Sequence, residues 1–328
     1  MRVVRFDRHG GPEVLRFETI DAPLPDEGQV LIRVKALGIN RAEALMRAGA
    51  YIETPALPSG LGLEAAGVVE RLGDGVDGFE AGDAVSVIPP ISMARWPTYG
   101  ECISVPAERV VRHPPNLSRE GAAATWMAYL TAYGALIDVA AIRRGECVAI
   151  TAASSSVGLA AIQISNMIGA IPVAVTRTAA KRQALINAGA AHVIVTDDED
   201  PASGLNRIAG PIGVRVVLDC VGGPILEPLT QAMARGGVLI EYGGLSARPA
   251  PFPLPAVLSK SLTLRGYLVH EITGNPGKLE AAKRFILDGL AAGALRPIIA
   301  KVFPFEEIAD AHRYLESNEQ FGKIVVTV

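Results

Sequence analysis

The chain has 328 residues, 49% of them apolar, and a formal net charge of −3. That length predicts two domains, each with enough apolar side chains for its own core. The near-neutral charge and dispersed lysines and arginines exclude a polyanion-binding surface, so no nucleic-acid partner is expected. Cys102, Cys147 and Cys220 fit no zinc or disulfide spacing and read as reduced, buried thiols of a cytoplasmic protein. The opening MRVVRFDRHGGPEVL spreads its charges throughout and holds no apolar signal core, so no export signal is expected. Cys147–Thr176 lacks charged side chains, but its serine cluster, Gln163, Asn166 and Pro172 argue against a membrane span.

In chain order, short alternating runs predict strands at Met1–Phe6, Gln29–Ala36, Gly67–Leu72, Ala84–Val87 and Cys102–Pro106. Glycine and proline between them suggest a compact barrel-like β domain, with a helix over Asn40–Ala48. The apolar loop Ile88–Pro97 reads equally as a lid over a ligand or as a packed surface loop.

From Ser118 the texture changes. SREGAAATWMAYLTAYGALIDVA predicts a helical pair, and strands then alternate with helices. The strands are Cys147–Thr151, Val173–Thr176, His192–Val195, Val214–Asp219, Val238–Tyr242 and Leu262–Tyr267. Helices are expected at Val157–Ile168, Ala179–Ala188, Pro201–Ala209 and Ile225–Ala234. This order predicts a doubly wound parallel sheet. A helix (Lys278–Ala292), the segment Ile298–Pro304, a helix (Phe305–Ser317) and a strand (Gly322–Val328) follow, and are expected to return to the first domain.

The stretch Glu146–Arg177 carries the clearest chemistry. A buried strand, a small-residue turn and a helix would aim free N–H groups and a positive dipole end at a diphosphate. Only Gly158 stands where the usual fingerprint has glycine, and Ser154–Ser156 replace the others. An NAD-binding turn places an acidic residue about twenty positions on, to hold the ribose 2′-hydroxyl. Here that place reads TRTAAKR, and Arg177 and Lys181, with Thr176 and Thr178, suit a 2′-phosphate instead. The expected cofactor is NADPH.

With both halves read, the chain resembles a medium-chain dehydrogenase/reductase of the zinc-independent quinone oxidoreductase group. The resemblance runs end to end: GGPEVL (10–15), Gly38 and Asn40 with Arg47, Gly49 and Tyr51, LGLEAAGVV (61–69), GDAV (82–85) and TYGEC (98–102). It continues through LTAYGAL (130–136), AASSSVG (152–158), DCVGG (219–223), GGVLIEYG (236–243) and FGKIVV (321–326). It implies a GroES-like catalytic domain (1–118 and 268–328) interrupted in sequence by a Rossmann domain (119–267), and two-electron reduction of a conjugated or quinoid carbonyl. Zinc-containing relatives need cysteine and histidine where this chain has Asn40 and Leu63, and Glu64 alone does not make a tetrahedral site, so no metal is expected.

On that resemblance Asn40 lies near the nicotinamide and positions the reaction, and Tyr51 donates to a carbonyl. Tyr99, Trp96 and Arg265 are candidates for the substrate wall, with an ordinary core ring as the alternative for either tyrosine. Thr131, Ser155, Ser156, Val157 and Gly158 are expected along the cofactor's ribose and diphosphate. Cys220 and Gly243 are expected along its nicotinamide half, and Lys323 as a terminal contact. Asp219 reads as structural. The leading function is NADPH-dependent reduction of quinones or α,β-unsaturated carbonyls. Reduction of an enoyl thioester or simple ketone, and an NADPH-binding crystallin-like or regulatory protein, are the alternatives. The resemblance also implies a homodimer, and APFPLPAVL (250–258) lies near the expected sheet edge or forms a linker.

Overall fold

Eight strands precede residue 113: β1 (Arg2–Phe6), β2 (Arg16–Thr19), β3 (Gln29–Ile39), β4 (Ser59–Gly60), β5 (Glu64–Leu72), β6 (Ala84–Val87), β7 (Cys102–Pro106) and β8 (Val110–Arg112). They are accompanied by α1 (Arg41–Arg47) and α2 (Arg119–Ala123). The computed structural model describes all of residues 1–328 and divides into two units, Met1–Met127 with Thr273–Val328, and Ala128–Ile272. The first unit takes nine residues more at its front than the expected boundary at 118, because α2 presents Ala122, Ala123 and Ala124 to Ala36, Ala66 and Val325 of the barrel. Small side chains there let a helix lie directly on the sheet.

After α3 (Trp126–Tyr133), which continues into a wider helical turn at Gly134–Val139, the second unit supplies the six expected strands. They are β9 (Cys147–Ile150), β10 (Ile171–Thr176), β11 (His192–Val195), β12 (Val214–Asp219), β13 (Met233–Glu241) and β14 (Thr263–Gly266). All pair in parallel, in the order β11-β10-β9-β12-β13-β14. Their helices are α4 (Ser156–Ile168), α5 (Arg182–Asn187), α6 (Pro201–Ala209), α7 (Leu226–Gln231), α8 (Leu254–Lys260) and α9 (His270–Thr273). β9 and the interior of β10 are buried on both faces, which is why they read as unbroken apolar runs. β13 begins five residues before the expected Val238, since Gly213 at φ +82 lets its backbone close on Ala234 and start the pairing early. Part of the 250–258 tract is the helix α8.

The chain then returns to the first unit through α10 (Pro276–Ala291), β15 (Ile299–Pro304), α11 (Ile308–Ser317) and β16 (Lys323–Thr327). β3 is the axis of this unit. It pairs with β5 along its length, with β7 through its first half and with β16 through its last residues. Val30, Ile32, Val34, Leu37 and Ile39 of β3 join Phe303, Phe305, Ile308 and Val326 in one buried core. No helix is long and apolar enough to cross a membrane.

Gly38 is where β3 passes closest to its neighbours. A Cβ there would lie 2.2 Å from the Ala123 carbonyl oxygen and 2.6 Å from Glu64 Oε1. Gly38→Ala is therefore expected to lower stability by about 3 kcal/mol through overpacking, read as a shift in the urea midpoint at constant slope.

Candidate functional site

Register assembles the polar cluster of the first unit. Gly38 pairs with Glu64 and Ile39 with Ile324, so the ends of three strands bring Asn40, Glu64 and Lys323 together. All three are buried, at 8%, 1% and 2% exposure. The Lys323 ammonium forms an ion pair with Glu64 Oε1 and donates to Asn40 Oδ1. Asn40 Nδ2 donates to Glu43 Oε1 at 3.1 Å and to Glu64 Oε1 at 3.2 Å. Backbone N–H groups complete the set, with Leu63 donating to Glu43 Oε1 and Met127 to Glu64 Oε2.

Glu43, one turn into α1, is fully buried and its Oε2 has no hydrogen-bond partner. Burial raises its carboxyl to about 7, against the opposing pull of the Lys323 charge. The ammonium pairs with Glu64, and Glu43, without an ion pair of its own, exchanges its proton near neutral pH. Tyr51 is half-buried against the same core, and burial followed by the charges of Glu43 and Glu53 pushes its hydroxyl up to about 12. It is a firmly protonated donor.

The structure sorts the other sequence candidates of this unit. Tyr99 is a core ring, 2% exposed, whose hydroxyl meets His312 Nε2 at 3.2 Å, so of the two readings offered for it the core ring is the one seen. The Ile88–Pro97 loop is pinned: Met93 is buried, its N–H donates to Glu53 Oε2, and Ser92 donates to Glu53 Oε1. Trp96 is partly buried with the Arg95 guanidinium 4.3 Å over its ring. Lys323, expected as a cofactor contact, has its amine on Glu64 and Asn40.

In the second unit the Ala152–Ser156 turn follows β9. Ser155 caps α4, its hydroxyl accepting from Gly158 N–H at 3.1 Å. A Cβ on Gly158 would lie 2.6 Å from the Ala153 carbonyl, so glycine is required for the helix to approach the turn this closely. Ala152 sits at φ +42, where glycine would be unstrained. At the end of β10, Thr176 is buried and Arg177 exposed, and Lys181 Nζ donates to Ser154 Oγ at 3.2 Å. These groups form a compact cationic and hydroxyl-bearing corner with the free N–H end of α4. The arrangement fits a dinucleotide diphosphate with an additional phosphate beyond it.

Thr131 is buried in α3 and Cys220 at the end of β12, where burial raises its thiol to about 12. Gly243 is exposed just past β13, and Val157 and Ser156 open α4. Asp219 accepts from the Thr151 hydroxyl and from the N–H groups of Val221 and Gly222, the structural role expected for it. Arg265 lies on the edge strand β14, ion-paired with Glu271. Sequence reasoning missed Glu43 and Glu241, because the burial of their carboxyl oxygens needed the fold.

A β barrel entered twice by the chain, with a six-stranded dinucleotide-binding sheet inserted in the sequence, defines a two-domain dehydrogenase/reductase. Residues 26–152 match the family model "Alcohol dehydrogenase GroES-like domain", and residues 188–326 match "Zinc-binding dehydrogenase". A quinone oxidoreductase from Lama guanicoe is 31% identical over 99% of this chain and 97% of its own. The structure of the Escherichia coli quinone oxidoreductase complexed with NADPH superposes with a TM-score of 0.91 at 30% identity, covering both chains fully. The CurK enoyl reductase gives a TM-score of 0.88 at 25% identity over 99% of this chain and 98% of that one. The chain belongs to the quinone oxidoreductase family.

Two outcomes test the buried cluster. Lys323→Met strands Glu64 without its cation and is expected to cost about 3–5 kcal/mol, with partial recovery in Lys323→Met/Glu64→Gln, measured by denaturant unfolding. The raised Glu43 carboxyl contributes stability that is complete below its unfolded value of 4.5 and is lost as pH rises through about 7. The unfolding free energy of Glu43→Gln should therefore gain on the parent across that window and level off above it. A pH-independent difference would show that Glu43 ionises normally.

Proposed function

We propose that this protein is an NADPH-dependent, metal-free reductase of quinones or α,β-unsaturated carbonyls. The observation that carries the cofactor reading is the corner at the ends of β9 and β10, where Lys181 is held on Ser154 beside Arg177 and no acidic residue stands at the end of β10. The likeness to a quinone oxidoreductase solved with NADPH supports it. Ser155, Ser156 and Val157 hold the diphosphate at the α4 N-terminus, and Ser154, Thr176, Arg177 and Lys181 meet the 2′-phosphate, where a bidentate guanidinium is worth most. Thr131 and Gly243 belong to the ribose and nicotinamide half.

When bound, NADPH supplies a hydride. The protein's part is to orient the acceptor and to stabilise the negative oxygen that hydride addition creates. Tyr51 suits the second task, because a hydroxyl held near 12 donates a hydrogen bond without surrendering its proton. The proton that completes the reduction then comes from solvent, so a quinone, a hydride and a proton give the hydroquinone. Asn40 acts as a positioning residue, since both ends of its amide are committed to Lys323, Glu43 and Glu64. The donor set at this place is an amide, a carboxylate and an ammonium beside apolar Leu63. An ammonium there takes the position of a cation and repels a second one, which supports a reaction without zinc. A homodimer paired along the edge strand β14 belongs to the same reading, supported by the exposed Phe252 (63%) and Leu258 (69%) beside it.

The likeness to an enoyl reductase favours a second reading, reduction of a carbon–carbon double bond conjugated to a thioester. Optical measurement of NADPH and NADH oxidation against quinones, enones, enoyl thioesters and plain ketones separates the two. Turnover of quinones with NADPH preference supports the first reading, turnover confined to enoyl thioesters moves it to the second, and none with any acceptor overturns both. Lys181→Ala is expected to raise KM for NADPH about tenfold while leaving KM for NADH within about twofold, through loss of a charged phosphate contact.

A further inference from the structure

β12 and β13 place two carboxyls side by side. Asp219 and Glu241 are register partners at the ends of adjacent parallel strands, and so share one face of the sheet. Asp219 is fully buried and occupied by three donors. Glu241 differs: both its oxygens are buried, no N–H or hydroxyl donor reaches them, and its polar neighbour is the Asp219 carboxyl, with which it can share a proton. Gly222, at φ +63, leaves room for the carboxyl, since a Cβ there would lie 3.2 Å from Glu241 Oε1. Glu241 lines a pocket of about 640 Å³ with Tyr242, Gly243, Tyr267, His270 and Glu271. Two carboxyls side by side at a cavity cannot both be ionised without a compensating positive charge, which makes the pair costly to keep for structure alone.

The sheet order says which part of a ligand comes here. If the diphosphate rests over the turn after β9 and the 2′-phosphate over the end of β10, the adenosine side runs toward β10. The other half of the dinucleotide then runs the opposite way, over β12 and β13. That half ends in the nicotinamide ring, which is neutral when reduced and a cation when oxidised.

Resting on the cofactor reading above, we propose that the Asp219–Glu241 carboxyl pair senses the redox state of the nicotinamide, favouring the oxidised, cationic ring and releasing a proton when it binds. The charge balance is simple. Burial, then the neighbouring Asp219 charge, raises the Glu241 carboxyl to about 8, so it is mostly protonated at neutral pH. A cationic ring favours the ionised form, and the proton leaves to solvent through the pocket. A neutral ring gives no such gain. The other titratable groups around the carboxyl do not replace this role. Cys220 and Tyr242 are raised by burial, as is Tyr267, while Glu271 is ion-paired with Arg265, and His270 lines the same pocket. Because positive charge develops on the ring as hydride departs, the same pair assists the transfer step.

The test is titration calorimetry of the whole protein with NADP+ and with NADPH at pH 7, in two buffers of different ionisation enthalpy. The 2′-phosphate contributes equally to both cofactors, so the difference isolates the ring. NADP+ is expected to release up to about one proton more than NADPH, and its affinity to rise roughly tenfold from pH 6.5 to 8 while that of NADPH does not. Glu241→Gln should abolish both differences. Equal proton release by the two cofactors, or a difference that survives in Glu241→Gln, overturns the proposal and leaves the cofactor reading standing. Failure of the unmodified protein to bind either cofactor overturns that reading, and the proposal with it.

Discussion

A primary ammonium cannot be taken out of water unless something replaces the water, and the first unit is arranged around that requirement. Lys323 is 2% exposed, and its amine needs acceptors that are themselves buried and fixed. Glu64 and Asn40 supply them, and both are available only because β5 and β16 pair with β3 in one register. A slip of one residue would turn each of these side chains to the opposite face. Gly38 follows from the same demand, since any side chain there would displace the Glu64 carboxyl or lift α2 from the sheet. The cluster thus ties the first eight strands to the last one across most of the length of the chain.

The second unit rests on a different economy. Its turn after β9 achieves a close approach of helix and strand with one glycine, Gly158, where such turns commonly use several. The compensation is visible: Ser155 caps α4 through its side chain, Lys181 binds back onto Ser154, and Ala152 accepts a left-handed conformation. A non-glycine residue at positive φ costs on the order of 1 kcal/mol. On the proposed cofactor reading the hydroxyl groups that organise the turn would also meet a phosphate, so one set of side chains would serve both fold and ligand.

Much of this was legible in the sequence. The parallel sheet of the second unit followed from apolar runs separated by helical stretches, because a sheet covered on both faces leaves that pattern. The cation-bearing end of β10 could be read from the missing acid at Arg177. What could not be read was burial. Lys323 stood out in the sequence only by resemblance, and it is the pairing of β16 with β3 that shows its amine points at Asn40. Tyr99 and Tyr51 look equivalent in sequence, yet one meets His312 in the core and the other is half-buried. The boundary at Met127 was also hidden, since α2 belongs to the barrel by the fit of its alanines rather than by any change in composition.

The two units handle buried acid in opposite ways, and the contrast bears on chemistry. In the first, Glu64 is matched by a cation and Glu43 ionises only near neutral pH, while burial and the acids around Tyr51 keep its hydroxyl a donor. In the second, Asp219 is satisfied by N–H and hydroxyl donors, while Glu241 faces the Asp219 carboxyl with no cation beside it. A carboxyl left in that state is stabilised only by a proton or by a positive charge that arrives from outside. A reductase whose cofactor becomes cationic as it reacts would bring such a charge. A carboxyl in that state is costly for the free protein but complementary to the positive charge that grows on the ring toward the transition state of hydride transfer, which is the state an enzyme gains most by favouring.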